Sequence, residues 1–127
     1  AIRDLKNVTK SLHLPVQSGS SKILKLMNRG YSQKEYLALA DSYRKIVKGG
    51  LLTTDIIVGF PTESDHDFGQ TFNLVRKIAF NSAFIFKYSA RPYTKAAKMV
   101  DDVPKNEKEG RHKKLLDLQR KISKKDK

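Results

Sequence analysis

No cysteine occurs in the 127 residues. That absence excludes disulfides, thiolate nucleophiles and any Cys-ligated zinc or iron–sulfur site from this stretch of chain. Long apolar runs are missing too: those present, such as Ile56-Ile57-Val58, are far too short to span a bilayer. No secretory leader is expected, because Ala1-Ile2-Arg3-Asp4-Leu5-Lys6 is already charged and amphipathic. Acidic residues are scarce, 13 against 26 Lys and Arg, which leaves a formal charge of +13. Hydrophobic residues make up 39% of the chain, a modest supply for a single core. The first residue is not Met, so the expectation is a basic, soluble, intracellular chain that is a piece of something larger.

Two local patterns alternate along the sequence. Residues 12–17, 51–60 and 83–89 form apolar or β-branched runs that read as strands. Between the first two, Tyr36, Leu39/Ala40, Tyr43 and Ile46/Val47 recur three or four apart, which predicts one apolar helix face. Ser32-Gln33-Lys34-Glu35 supplies a capping box at its start, and Gly49-Gly50 ends it. A second helix is predicted from Ser64, with Phe68, Phe72, Val75 and Ile78/Ala79 on one side and an acidic start at Glu63, Asp65 and Asp67. A shorter helical stretch covers 21–28. After Pro104, suited to a first helical position, comes a last helix with Leu115, Leu118 and Ile122 on one side. From Lys105 onward ten Lys and Arg face four acids, and the Lys-rich end, 121–127, is expected to fray.

Strands alternating with helices predict an α/β fold with a parallel sheet. Three strands cannot close a barrel, and they leave two open edges of the kind that complete proteins cover. The predicted architecture is therefore a partial (β/α) TIM-like barrel. Sites in such folds lie at the C-terminal ends of the strands. Those ends read Val16-Gln17-Ser18-Gly19-Ser20, Val58-Gly59-Phe60-Pro61 and Tyr88-Ser89-Ala90-Arg91-Pro92. Each mixes polar side chains with Gly or Pro, although Ser-Gly-Ser alone is equally a turn and an N-cap.

The wording and order of these segments carry a resemblance. His13-Leu14-Pro15-Val16-Gln17-Ser18-Gly19-Ser20 and Met27-Asn28-Arg29-Gly30-Tyr31 resemble the radical-SAM methylthiotransferases. So do the run from Thr53 to Glu63 and Tyr88-Ser89-Ala90-Arg91-Pro92, and the nearest branch is the tRNA-modifying, MiaB-like one. The resemblance covers about 12–119. It implies that 1–104 is the second half of a radical-SAM barrel and that 105–127 is a basic helix leading to an RNA-binding domain outside this sequence. The implied cofactors are S-adenosylmethionine and [4Fe–4S] clusters, whose CxxxCxxC ligands lie outside the chain. The implied reaction adds a methylthio group to C2 of an isopentenylated adenosine at position 37 of tRNA. Partners would be the tRNA anticodon loop and the rest of the same polypeptide, in the cytoplasm and without a membrane. No catalytic residue and no metal ligand is expected in this segment.

Cofactor roles follow residue by residue from the same resemblance. The Gln17 amide both donates and accepts, which suits a ribose diol, or it closes a turn. Asp55 lies in an apolar strand, where an unpaired carboxylate is costly. A ribose diol would satisfy it, and so would an internal ion pair or hydrogen bond. Arg29 could hold the methionine carboxylate in a fork, or stay solvated. Ile57 shares the face of Asp55 and packs on adenine or in the core. Tyr88 and Ser89 would offer main-chain groups to the adenine edge. Arg91, Lys95, Lys113 and Lys114 are the RNA candidates; each reads equally as a solvated charge. His13 is expected to be structural, and His66 and His112 are expected on helix surfaces. Ala90 and Tyr93 stand where the family usually has Pro and Gly.

Surplus positive charge suits a polyanion through counterion release, yet Lys-rich helices are commonly only solvated surface. Two rivals remain open: a sibling methylthiotransferase acting on threonylcarbamoyl-adenosine or a ribosomal protein, and a non-catalytic RNA-binding half-barrel. Ser18, where the ribosomal-protein branch tends to have His, leans away from that sibling.

Overall fold

Thr53, Asp55 and Ile57 alternate with Leu52, Thr54, Ile56 and Val58 along strand β2 (Leu51–Val58), and only the second set is fully buried. A period of two on a strand assigns the sets to opposite faces. In this computed structural model, which describes residues 11–27, 29–89 and 102–125, β2 is the centre of a parallel sheet. Strand β1 (Ser11–His13) flanks it on one side and β3 (Ser82–Lys87) on the other, in the order β1-β2-β3.

Between β1 and β2 the chain forms helices α1 (Ser21–Leu26) and α2 (Gln33–Ile46). Helix α3 (Asp65–Ile78) crosses from β2 to β3, and α4 (Lys105–Lys125) follows β3. The core lies on one face of the sheet, where Leu52, Ile56, Val58 and Ile85 meet Tyr36 and Tyr43 of α2, Leu74 and Val75 of α3, and Leu115 of α4. The opposite face carries His13, Thr53, Asp55, Ile57, Phe84 and Phe86. Phe84 and Phe86 are 54% and 53% exposed, so among the described residues nothing covers that face.

The capping box expected at Ser32 and Glu35 is present, and Gly49, at φ 76°, makes the turn after α2. Helix α3 has a second box, in which Ser64 and Asp67 satisfy each other's amides. Arg44 of α2 donates to the carbonyls of Ile78 and Ala79, which closes the C-terminus of α3.

Some expectations need correction. The first strand stops at His13 and returns only as a single bridge between Gln17 and Ile56. Pro15 has no N–H to continue the ladder, and the Val16 N–H donates to the Thr54 hydroxyl instead of a main-chain carbonyl. Helix α1 ends at Leu26, with Met27 as its cap. Helix α4 continues to Lys125 instead of fraying from 121, because Gln119 donates to the Phe80 carbonyl and Ser123 to the Asn81 carbonyl. His112 is half-buried against β3, its Nε2 2.8 Å from the Ile85 carbonyl oxygen.

Candidate cofactor-binding rim

The three strand ends meet at one rim. Gln17 sits between two residues of β2: its N–H donates to the Asp55 carbonyl at 2.9 Å, and its carbonyl accepts from the Ile57 N–H at 2.9 Å. Gln17 is buried and left-handed, with φ 72°, a conformation that costs a non-glycine residue on the order of 1–3 kcal/mol. Gln17 on one segment and Asp55 and Ile57 on another, all singled out in the sequence, are thus brought together by the backbone.

Asp55 is about one-third exposed on the open face and has a partner. Its Oδ2 lies 3.2 Å from His13 Nε2, and His13 Nδ1 lies 2.7 Å from the Thr53 hydroxyl. The ring meets Phe84 edge-on with centroids 6.3 Å apart. His13 is therefore a polar partner as well as a packed ring, and the alternative of an internal ion pair or hydrogen bond for Asp55 is met at one of its oxygens.

Behind Gln17 the chain is locked to α3. Gly19 donates to the Thr71 hydroxyl at 2.8 Å, and a Cβ at position 19 would come within 2.5 Å of the Thr71 Cα, so only glycine fits. Ser20 caps α1 and donates to Asp67 at 2.8 Å. Asp67 also accepts from Ser64 and pairs with Lys22 at 2.8 Å. Burial works to raise its carboxyl pKa, but the Lys22 ammonium and the serine hydrogen bonds outweigh it and hold the group well below the usual carboxylate range.

The β2 rim is clamped from α4. Gly59, at φ 78°, donates to Glu63 Oε1 at 2.8 Å, and the same oxygen receives Arg111 at 2.8 Å. Arg111 also reaches Asp65 and Glu107. Glu63 is fully buried, and burial pushes its carboxyl pKa up although the Gly59 N–H and the Arg111 guanidinium oppose the shift. Lys108 stretches over Gly59, donates to the Tyr88 carbonyl at 3.4 Å and lies 5.3 Å from the centre of the Tyr88 ring. That ring meets Phe60 edge-on at 5.3 Å. Glu63, Lys108 and Arg111 were not among the expected site residues. One signal was legible: Arg111 falls four residues before Leu115, on the apolar stripe of its helix.

The remaining candidates are spread out. Arg29 is exposed, and the segment it belongs to is held to the stretch after β1 by the Tyr31 hydroxyl, which donates to the Pro15 and Val16 carbonyls. The main-chain groups of Tyr88 are engaged: its N–H donates to the Val58 carbonyl, and its carbonyl accepts from Lys108. A ligand edge could use only the second lone pair of that carbonyl, while Ser89 is exposed. Lys113 and Lys114 are exposed on α4, eight and nine residues from its rim end, or about 12 Å down its axis. They lie on the outer flank of the sheet, not at the rim. Arg91 and Lys95 lie outside the described residues, as do Ala90 and Tyr93. Among the described residues no cluster of three or more His, Asp or Glu is placed to hold a metal, and no helix is long and apolar enough to cross a membrane.

Comparison with known proteins bears on this rim. The profile of the Radical SAM superfamily matches residues 1–75. The tRNA-2-methylthio-N(6)-dimethylallyladenosine synthase of Methylacidiphilum infernorum is 48% identical over 97% of this chain and 26% of its own length. The synthase of the same name from Pelotomaculum thermopropionicum is 50% identical over 97% of the chain and 28% of its own length. The chain thus spans about a quarter of the relatives it matches. Coproporphyrinogen III oxidase from Escherichia coli, a radical SAM enzyme, superposes with a TM-score of 0.76 at 20% identity, over 94% of this chain and 29% of that one. The fold is accordingly part of a (β/α) barrel.

Proposed function

The chain belongs to the radical SAM superfamily, and on that premise we propose that it is the second barrel half of a tRNA methylthiotransferase. The reaction we assign to the whole enzyme adds a methylthio group to C2 of N6-isopentenyladenosine at position 37 of tRNA, in the cytoplasm. The observation that carries the reading is the interlock of Gln17 with Asp55 and Ile57 at the strand ends. It ties the main chain of Gln17 to Asp55 and Ile57 at the end of β2, and an amide, a carboxylate and an apolar residue on neighbouring backbone are the residue types that a nucleoside with a vicinal diol would call for. The relatives named above, similar over nearly the whole chain, support the choice of substrate.

S-adenosylmethionine, when bound and cleaved at an iron–sulfur cluster, supplies the radical chemistry; the protein supplies position and shelter. Asp55 and Gln17 would hold the ribose hydroxyls, Ile57 would flank the adenine, and Arg29 would meet the methionine carboxylate. The residues present fit that cofactor. They do not fit a cluster, since the sequence has no cysteine, so cluster ligands would come from other parts of the polypeptide. On this reading α4 leads toward an RNA-binding domain, and Lys113 and Lys114 contact tRNA phosphates from the flank of the barrel.

Nucleoside analysis tests this. The complete polypeptide carrying this segment is expressed in a bacterial strain that lacks its own methylthiotransferase, and digested tRNA is examined by mass spectrometry. The 2-methylthio derivative of isopentenyladenosine is expected. A methylthio group on threonylcarbamoyl-adenosine instead would identify the sibling activity, and unmodified tRNA would refute the reading.

A further inference from the structure

We propose that His13 is a positioning residue for Asp55, fixing the carboxylate in the orientation that receives the vicinal diol of the nucleoside. This inference rests on the reading of Asp55 given above and adds a residue that acts only through it. In the parallel register His13 lies opposite Thr53, and Asp55 is two residues further along β2 on the same face. The imidazole spans both: Nδ1 is 2.7 Å from the Thr53 hydroxyl and Nε2 is 3.2 Å from Asp55 Oδ2. A carboxylate only accepts, so Nε2 carries the proton shared with Asp55; Nδ1 accepts from the Thr53 hydroxyl in the neutral ring and donates to it in the protonated one, and the ring is held between the two in either form. Phe84, edge-on at 6.3 Å, borders the ring.

The pair is 44% and 31% exposed, a setting in which an ion pair adds little to folding stability. Its consequence is orientation. Only Oδ2 is engaged by His13, and the main-chain carbonyl of the same Asp55 accepts from the Gln17 N–H. A carboxylate pinned in this way does not have to be ordered when a diol arrives, and preorganisation of this kind raises affinity without a new contact.

The test measures S-adenosylmethionine affinity by equilibrium dialysis on the complete holoenzyme, with cluster content and melting temperature followed in parallel. His13→Phe should weaken binding about tenfold, the scale of losing a partner that orients a ligating group. His13→Gln, which keeps an N–H donor, should restore most of the affinity. In an Asp55→Asn background His13→Phe should add less than about twofold, because both act through one carboxylate. If His13→Phe does not accumulate as folded holoenzyme, Thr53→Val reads the same restraint, and its effect too should vanish in the Asp55→Asn background. Parental affinity in His13→Phe (or Thr53→Val) beside weakened Asp55→Asn overturns the positioning role and leaves Asp55 as the ligand residue. Fully additive effects overturn it as well. Parental affinity in Asp55→Asn overturns the cofactor reading of Asp55 and this inference with it.

Discussion

Replacing Gly59 with alanine tests how tightly α4 clamps the rim. Position 59 has φ 78°, and forcing an L-residue into the left-handed region costs roughly 1–2 kcal/mol. The new Cβ would stand 2.4 Å from Lys108 Cγ and 2.9 Å from its Cδ, too close for either to remain. Because Cγ is near the helix backbone, the whole stem must swing away from Tyr88. That collision and the lost ring contact cost about 1–2 kcal/mol more. Gly59→Ala should therefore destabilise by about 2–4 kcal/mol, read as a shift in the urea midpoint followed by circular dichroism on the complete polypeptide. Lys108→Ala removes Cγ, so in that background Gly59→Ala should cost only the backbone strain, about 1–2 kcal/mol. The difference between the two backgrounds is the collision itself. Equal costs in both, within about 0.5 kcal/mol, would refute the clamp, and so would a neutral Gly59→Ala.

Asp67 should control the acid limb of stability. Its carboxyl titrates below the ordinary value in the folded chain, so its contribution is complete above the unfolded value, about 4, and is lost as pH falls below it. Asp67→Asn should lower the denaturation midpoint at pH 7, and its gap to the parent should narrow steadily as pH falls below about 4, closing only at pH well under 3; parallel curves throughout would contradict this. Replacing Lys113, Lys114, Lys121 and Lys124 with Gln should weaken tRNA binding and flatten its log–log salt dependence by up to roughly 0.9 per lost contact, without altering selectivity for the isopentenylated base. An unchanged slope would reduce α4 to cladding. The 127 residues alone, with Phe84 and Phe86 exposed on an uncovered face, should aggregate or pair; a monodisperse monomer melting above about 60 °C would oppose that.

Local chemistry made much of the fold legible. Ser32 and Glu35 announce their capping box at a spacing of three, and Tyr36, Ala40 and Tyr43 mark the buried face of α2 at helical spacing. The strands were readable from β-branched runs, as was the parallel order from their separation by helices. Leu74 was missed on α3, where it is buried while Phe72 is only partly so. What stayed hidden depends on long-range partners. Glu63 and Arg111 are 48 residues apart, and in the sequence Glu63 reads as an acid favouring a helix start, not as a buried carboxylate under the rim. His13 gave no sign of reaching Asp55, because a diagonal contact between strands needs a register that no single sequence states. Gln17 and Asp55 were legible as candidates only through the order of the motifs; that they share main-chain hydrogen bonds follows from the one-residue bridge after Pro15.

One carboxylate, Asp67, is tied at once to Ser20, Ser64 and Lys22, and so to the starts of both α1 and α3. Mechanically, the turns after β1 and β2 form one plate. Neither can tilt or lengthen without tearing a buried charge from its partners, so a bulkier guest cannot be accommodated by sharing the movement between them. Any give at this rim must come from outside these two turns. In a barrel diversified by insertions, the Ser-Gly-Ser and Pro-Thr-Glu-Ser turns would keep their lengths.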